Sequence, residues 1–308
     1  MKHRITICLP TLIILFSTAS FAATPDEFGL RPGHLYGNIQ GGVREYTSDL
    51  VPVADLLLSD VTVTEGLAFS NSGELILSAF KENPSGFSTH HVLKIDASGD
   101  VVDSINLLEG GLDRVSHAAV DQQGRAYVSS RAGMVESAHD FGSFQVLSHP
   151  FDRTSGVAVD STNRLFVTDS NTGELVILNT ARNVEHIIDI GGSPLGIDFD
   201  AAGNLFLAAR QSMELREVDL TALDGSFDAV LTGLDDPSDI AFAPDGSYYL
   251  SLDGAIVEHR SADHQLLGSV STLERMHSLA VLVPEPSCLG LGILSLVLLG
   301  CRRRPKMH

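Results

Sequence analysis

The chain of 308 residues contains no tryptophan and only three cysteines, Cys8, Cys288 and Cys301, all within its hydrophobic ends. The long stretch between them therefore has no disulfide, no thiolate nucleophile and no thiolate ligand. Its stability has to come from a buried core, which a domain of about 250 residues can supply. The missing tryptophan removes the usual sugar-stacking side chain, leaving five tyrosines. Basic residues are scarce too: Lys and Arg number 20 against 39 Asp and Glu, for a formal charge of −19. Six of those basic residues and only one acidic residue lie in stretches 1–22 and 284–308, so the middle is more acidic still. Such a surface repels phosphate backbones and argues against nucleic acid as a partner. Also absent between the ends are a P-loop, a Gly-x-Ser-x-Gly elbow, His-Glu-x-x-His and Cys-x-x-Cys. Asp96-Ala97-Ser98-Gly99-Asp100 and Asp235-Asp236 resemble calcium loops only loosely, and neither completes a ligand set.

Both ends carry addresses. Met1-Lys2-His3-Arg4 is basic, Ile5 to Phe16 is apolar, and Ser20-Phe21-Ala22 puts small residues before Ala23. That order predicts a signal peptide over 1–22, cut by signal peptidase after Ala22, and a lead-in over 23–33. At the other end Pro284-Glu285-Pro286 precedes an apolar run from Cys288 to Cys301 and then Arg302-Arg303-Arg304. A helix over that run would reach about 21 Å against a hydrocarbon core of about 30 Å. A transient stop during export fits this length better than a permanent span, with the arginines held on the cytoplasmic side. The triplet, the run and the arginine cluster, in that order over 284–308, resemble the PEP-CTERM sorting signal of Gram-negative bacteria. The resemblance implies processing by an exosortase-type membrane enzyme, with Pro284, Glu285 and Pro286 as its recognition element.

Between the ends one pattern recurs. Gly66-Leu67-Ala68-Phe69 leads through Gly73 to Leu75-Ile76-Leu77-Ser78. The same step joins His117–Val120 through Gly124 to Ala126–Ser129, and Gly156–Val159 through Asn163 to Leu165–Thr168. It recurs from Gly196–Phe199 through Gly203 to Leu205–Ala208, and from Asp239–Phe242 through Gly246 to Tyr248–Ser251. The turn residue always has the same spacing and is Gly or Asn, the side chains that tolerate the positive φ of a tight hairpin. Short apolar strands at a period near forty, with no helical pattern, predict the blades of a β-propeller. A sixth unit starts at Ser278-Leu279-Ala280-Val281 and is cut short. Its missing strands are expected at His34–Ile39, Val43–Thr47 and Val51–Leu58, so that the beginning of the chain completes the last blade and no sheet edge is left open. The expected fold is all-β: a six-bladed propeller over 34–283, followed by a C-terminal hydrophobic helix.

The units, and Val167-Thr168-Asp169-Ser170-Asn171-Thr172-Gly173-Glu174-Leu175 most closely, resemble NHL repeats and the related gluconolactonase-like propellers. In such a ring the residues at the start of each first strand surround one channel mouth. Glu65, His117, Asp239 and His277 come from different blades and are the candidate ligands there, a donor set suited to one divalent cation (Ca, Mg, Mn or Zn). Glu65-Gly66 matches the Glu-Gly with which the gluconolactonase-like family supplies a metal ligand. Ser155 stands where that family has Asn, and Asp239 is only an approximate counterpart of its Asp. An insert over roughly Lys81–His91 should overhang the same mouth. Within it His90-His91 should point to opposite faces of a strand and be solvent-exposed.

Two readings remain open at this point. One is an exported, surface-directed propeller that binds an unknown protein or extracellular polysaccharide, with no catalytic residues. The other is a metal-dependent hydrolase of a lactone or ester.

Overall fold

The computed structural model describes residues 28–283, apart from 83–87, 108–114, 131–132, 139–140, 148–150, 253–254, 273 and 275. The signal peptide, the Pro284-Glu285-Pro286 triplet, the hydrophobic run and Arg302–Arg304 lie outside the described residues.

Strands β1 (Leu35–Ile39), β2 (Gly42–Tyr46) and β3 (Pro52–Leu57) come first. Blade one follows as β4 (Val61–Phe69), β5 (Leu75–Glu82), β6 (Ser88–Ile95) and β7 (Val101–Asn106). Blade two is β8 (Val115–Val120), β9 (Ala126–Ser130), β10 (Gly133–Ser137) and β11 (Phe144–Leu147). Blade three is β12 (Thr154–Val159), β13 (Leu165–Asp169), β14 (Glu174–Leu178) and β15 (Val184–Asp189). Blade four is β16 (Pro194–Phe199), β17 (Leu205–Ala209), β18 (Glu214–Val218) and β19 (Phe227–Thr232). Blade five is β20 (Pro237–Phe242), β21 (Tyr248–Leu252), β22 (Ile256–Arg260) and β23 (Leu266–Ser271), and the short β24 (Leu279–Val281) remains. Each blade is a four-stranded antiparallel sheet, and the sixth has the order β24-β1-β2-β3. This is a six-bladed β-propeller.

The closure follows the expected register. Leu35 pairs with Val281, Tyr36 with Ala280 and Gly37 with Leu279. The lead-in is pinned beside it: Arg31 Nη1 lies 2.6 Å from both oxygens of Glu45, and His34 Nδ1 lies 2.7 Å from Glu45 Oε1. Glu45 is fully buried, so this ion pair anchors the chain start to the last blade.

The hairpin chemistry holds at all five expected turns. Gly73, Gly124, Asn163, Gly203 and Gly246 all have φ between 64° and 88°. Asp160 and Asp200 each accept the backbone N–H groups two and four residues further on, which closes the turn from its polar side.

The core is distributed in seams between blades. One cluster joins Tyr36, Val43 and Ala280 of blade six to Leu67, Leu75 and Leu77 of blade one. Another joins Phe166 and Ile177 of blade three to Ile197 and Leu205 of blade four. A blade thus buries both faces against its neighbours, and the apolar area removed from water is what holds the ring shut.

A polar device stitches the inner ends of the blades. Gly66, His117 and Gly156 donate their backbone N–H to Ser78 Oγ (2.7 Å), Ser129 Oγ (2.9 Å) and Thr168 Oγ1 (2.7 Å). Each acceptor lies twelve residues downstream, on the second strand of the same blade. The hydroxyls then reach across the seam: Ser129 donates to Ser155 O (2.5 Å), Thr168 to Leu195 O (2.7 Å) and Ser251 to Met276 O. In blade six the corresponding residue is Asn38, which comes from the other end of the chain. Its Oδ1 accepts from His277 N and Ser278 N, both at 2.8 Å, and its Nδ2 donates to Thr64 O at 2.8 Å. Blade four has Ala208 at this position.

Candidate functional site

The first strands of blades one to five are bulged where they begin. Their register with the second strand shifts between Thr64 and Leu67, Val115 and Ala118, Thr154 and Val157, Pro194 and Ile197, and Pro237 and Asp239. A bulge leaves residues unpaired and re-aims their side chains. Here it aims them at the channel, where a cavity of about 360 Å³ opens. All six blades contribute to its lining: Glu65, His117, Ser155, Leu195, Ser238 and His277 take part, one from each. Arg153 and Arg210 line it too.

Of the four candidate ligands, Glu65, His117 and His277 border this mouth, whereas Asp239 faces a larger cavity of about 790 Å³ further along the channel. His117 borders both, with Nε2 lying 3.4 Å from Asp239 Oδ1. The two belong to blades two and five, which stand opposite in a ring of six, so the contact spans the channel and separates the cavities. Asp239 Oδ2 accepts Leu279 N at 2.7 Å, which fixes the carboxylate against the next blade.

Room for this crossbar comes from small neighbours. The equivalent position in the six blades is Gly66, His117, Gly156, Gly196, Asp239 and Ser278. A Cβ on Gly66 would come within 2.5 Å of the His117 backbone, and one on Gly196 would lie 2.6 Å from Asp239 Cα. Gly66 is therefore needed for close approach of blade two.

Two ionisable groups, His117 and Asp198, carry the electrostatics. Burial disfavours the charged form of His117, but the charge and proximity of Asp239, and then Glu65, outweigh it and raise the imidazole above its ordinary pKa. Two positions after Gly196, Asp198 stands where the other five blades have alanine. Burial pushes its carboxyl up to about 7, and Asp239 and Asp200 raise it as well, against the pull of N–H donation from Phe242 (2.9 Å) and Phe199 (2.8 Å).

The donor types at this mouth suit a divalent metal ion. Among the described residues no three His, Cys, Asp or Glu side chains are grouped to hold one, and both oxygens of Asp239 are engaged. The loose calcium-loop likenesses resolve into other roles: Asp96 Oδ1 accepts Ser98 N and Asp100 N within its own turn, and Asp236 pairs with Arg210 Nε at 2.6 Å.

The insert is an extension of the β5–β6 hairpin, with Phe80 opposite His90. Lys81 pairs with Val61 at the start of β4, which puts the extension on the mouth side. The expected exposure of His90 is corrected: it is buried, and its ring packs on Phe80 across the hairpin with centroids 4.3 Å apart. His91 Nε2 instead meets Thr89 Oγ1 at 2.9 Å.

No protein-family model matches the chain, and no curated protein is similar to it. Solved structures do resemble it. A chain of a nidogen/laminin complex has a TM-score of 0.66 at 16% identity, covering 81% of this chain and 98% of that one. A protein of unknown function from Bacteroides caccae has a TM-score of 0.61 at 11% identity, covering 82% and 99%. A streptogramin B lyase has a TM-score of 0.55 at 13% identity, covering 83% and 75%. These likenesses carry the fold alone.

Arg153, Arg210 and Asp198 were not anticipated as channel residues. Arg153 is placed by Asp169 of the most NHL-like stretch, which accepts the backbone N–H of Asp152 and Arg153, a contact across the blade that residue order does not reveal.

Proposed function

We propose that the protein is an exported, surface-directed propeller that binds a partner or matrix component in its channel mouth. A signal peptide over 1–22 carries it through the inner membrane, and the PEP-CTERM-like tail over 284–308 presents it to an exosortase-type enzyme. One observation supports the binding reading above others: six blades converge on a polar cavity at the mouth, with the His117–Asp239 pair at its inner end. A polar recess of this kind suits a held ligand. The architecture itself does not choose, since similar folds include a nidogen/laminin assembly and a streptogramin B lyase.

The test fills the recess. Ser116 lines it and is only half-buried, so Ser116→Trp occupies the cavity without entering the core. Matrix material from the producing cells should retain the wild type and release the variant, with equal thermal melts showing that both are folded. Equal retention of both would place binding elsewhere and end this reading. The competing reading, a metal-dependent lactone or ester hydrolase, requires stoichiometric divalent metal that is lost in Glu65→Gln.

A further inference from the structure

Resting on that reading, we propose that the mouth takes a carboxylate-bearing sugar, with the Arg153 guanidinium gripping the carboxylate. The charge balance of the lining points this way. In a chain of net charge −19, this recess gathers two guanidinium groups and two imidazoles against one carboxylate, Glu65. Arg210 is largely offset by Asp236, and Glu65 stands near the imidazole of His117. Arg153 makes no side-chain hydrogen bond or ion pair among the described residues and is exposed. Arg153 is thus the guanidinium of the lining left without a carboxylate partner among the described residues, and a bound carboxylate would supply one. Its planar fork of donors accepts a carboxylate in bidentate fashion.

Arg153 is also held ready at its base. The buried carboxylate of Asp169 accepts Arg153 N at 3.1 and 3.0 Å and Asp152 N at 2.7 Å, while Arg153 O accepts Ser170 N at 3.0 Å. With its backbone fixed on both sides, less freedom is lost when a ligand is gripped. Around it Ser116, Ser155 and Ser238 supply hydroxyls, and Val115 and Leu195 supply apolar wall. Among the described residues no Phe, Tyr or Trp lines the cavity. A neutral sugar would lack the usual stacking platform here, so its affinity has to come from charge and hydrogen bonds. The volume of about 360 Å³ is at the small end of ligand sites and admits one sugar ring with its substituents.

Titration calorimetry of the full chain in detergent, near physiological salt, tests this with glucuronate, glucose and inorganic phosphate as probes. Glucuronate should bind at least about tenfold more tightly than glucose or phosphate, and Arg153→Gln should weaken it about tenfold or more, as loss of a charge-assisted hydrogen bond implies. Arg210→Gln should have a smaller effect. Glucose bound as well as glucuronate, tighter phosphate, an indifferent Arg153→Gln, or no heat with any probe would each overturn the proposal. The mouth would still stand as a binding site if Ser116→Trp abolished matrix retention, so the two failures are distinguishable.

Discussion

Replacing Thr168 with valine isolates the polar stitch between blades. Thr168 is fully buried, and its Oγ1 accepts Gly156 N and donates to Leu195 O, each at 2.7 Å. Valine keeps the branched shape, so packing is nearly unchanged while a backbone N–H in blade three and a carbonyl in blade four lose their partner. Each buried polar group left unpaired costs about 1–3 kcal/mol. The added apolar methyl returns about 0.8 kcal/mol. A net loss of about 1–5 kcal/mol, centred near 3, follows from these, and at about 2–4 °C per kcal/mol for a domain of this size the central value lowers the melting temperature by about 6–12 °C. Thr168→Ser is the control, because it keeps both hydrogen bonds and deletes one methyl, for a loss of about 1 kcal/mol. Urea midpoints of the two variants and the wild type settle the order. Valine as stable as wild type, or serine as damaging as valine, would refute the claim that the hydroxyl joins the blades.

Gly196→Ala should push blade five away, because its Cβ would overlap the Asp239 side chain and lie 2.6 Å from its Cα; a loss of about 1–3 kcal/mol in urea unfolding is expected. Asp198 binds its proton more tightly folded than unfolded, with a carboxyl at about 7 against an ordinary 3.8. The stability this supplies is complete below about pH 4 and is lost as pH rises through about 7. Asp198→Ala, the residue of the other five blades, should flatten that slope in midpoints measured from pH 4 to pH 8, and an unchanged slope would assign it to other groups. Alanines at Pro284, Glu285 and Pro286 should leave an unprocessed, membrane-retained form, and mass spectra showing the same C-terminus as wild type would remove the sorting role.

The hairpins were legible because their determinants are local. Asn163 can replace glycine at a turn because its φ of 64° is one that asparagine tolerates. Strand order was legible as well, since Leu35 and Val281 had to meet for the last blade to have four strands. The site was only partly legible. Glu65, His117 and His277 do gather at one mouth, but whether Asp239 joins them depends on which side of the bulged strand its side chain leaves, and it leaves toward His117 and Leu279 N. The burial of His90 likewise depends on Phe80 across the extended hairpin.

What the amino-acid order determined by itself was periodic: a glycine or asparagine pivot, apolar strands on either side, and termini out of phase by part of a blade. These are properties of neighbouring residues and survive without knowledge of the whole. Only the closed ring decided that His117 faces Asp239 across the axis and that Arg153 and Arg210 share a recess. Those relations join residues dozens of positions apart, and they exist only where six first strands converge on one channel.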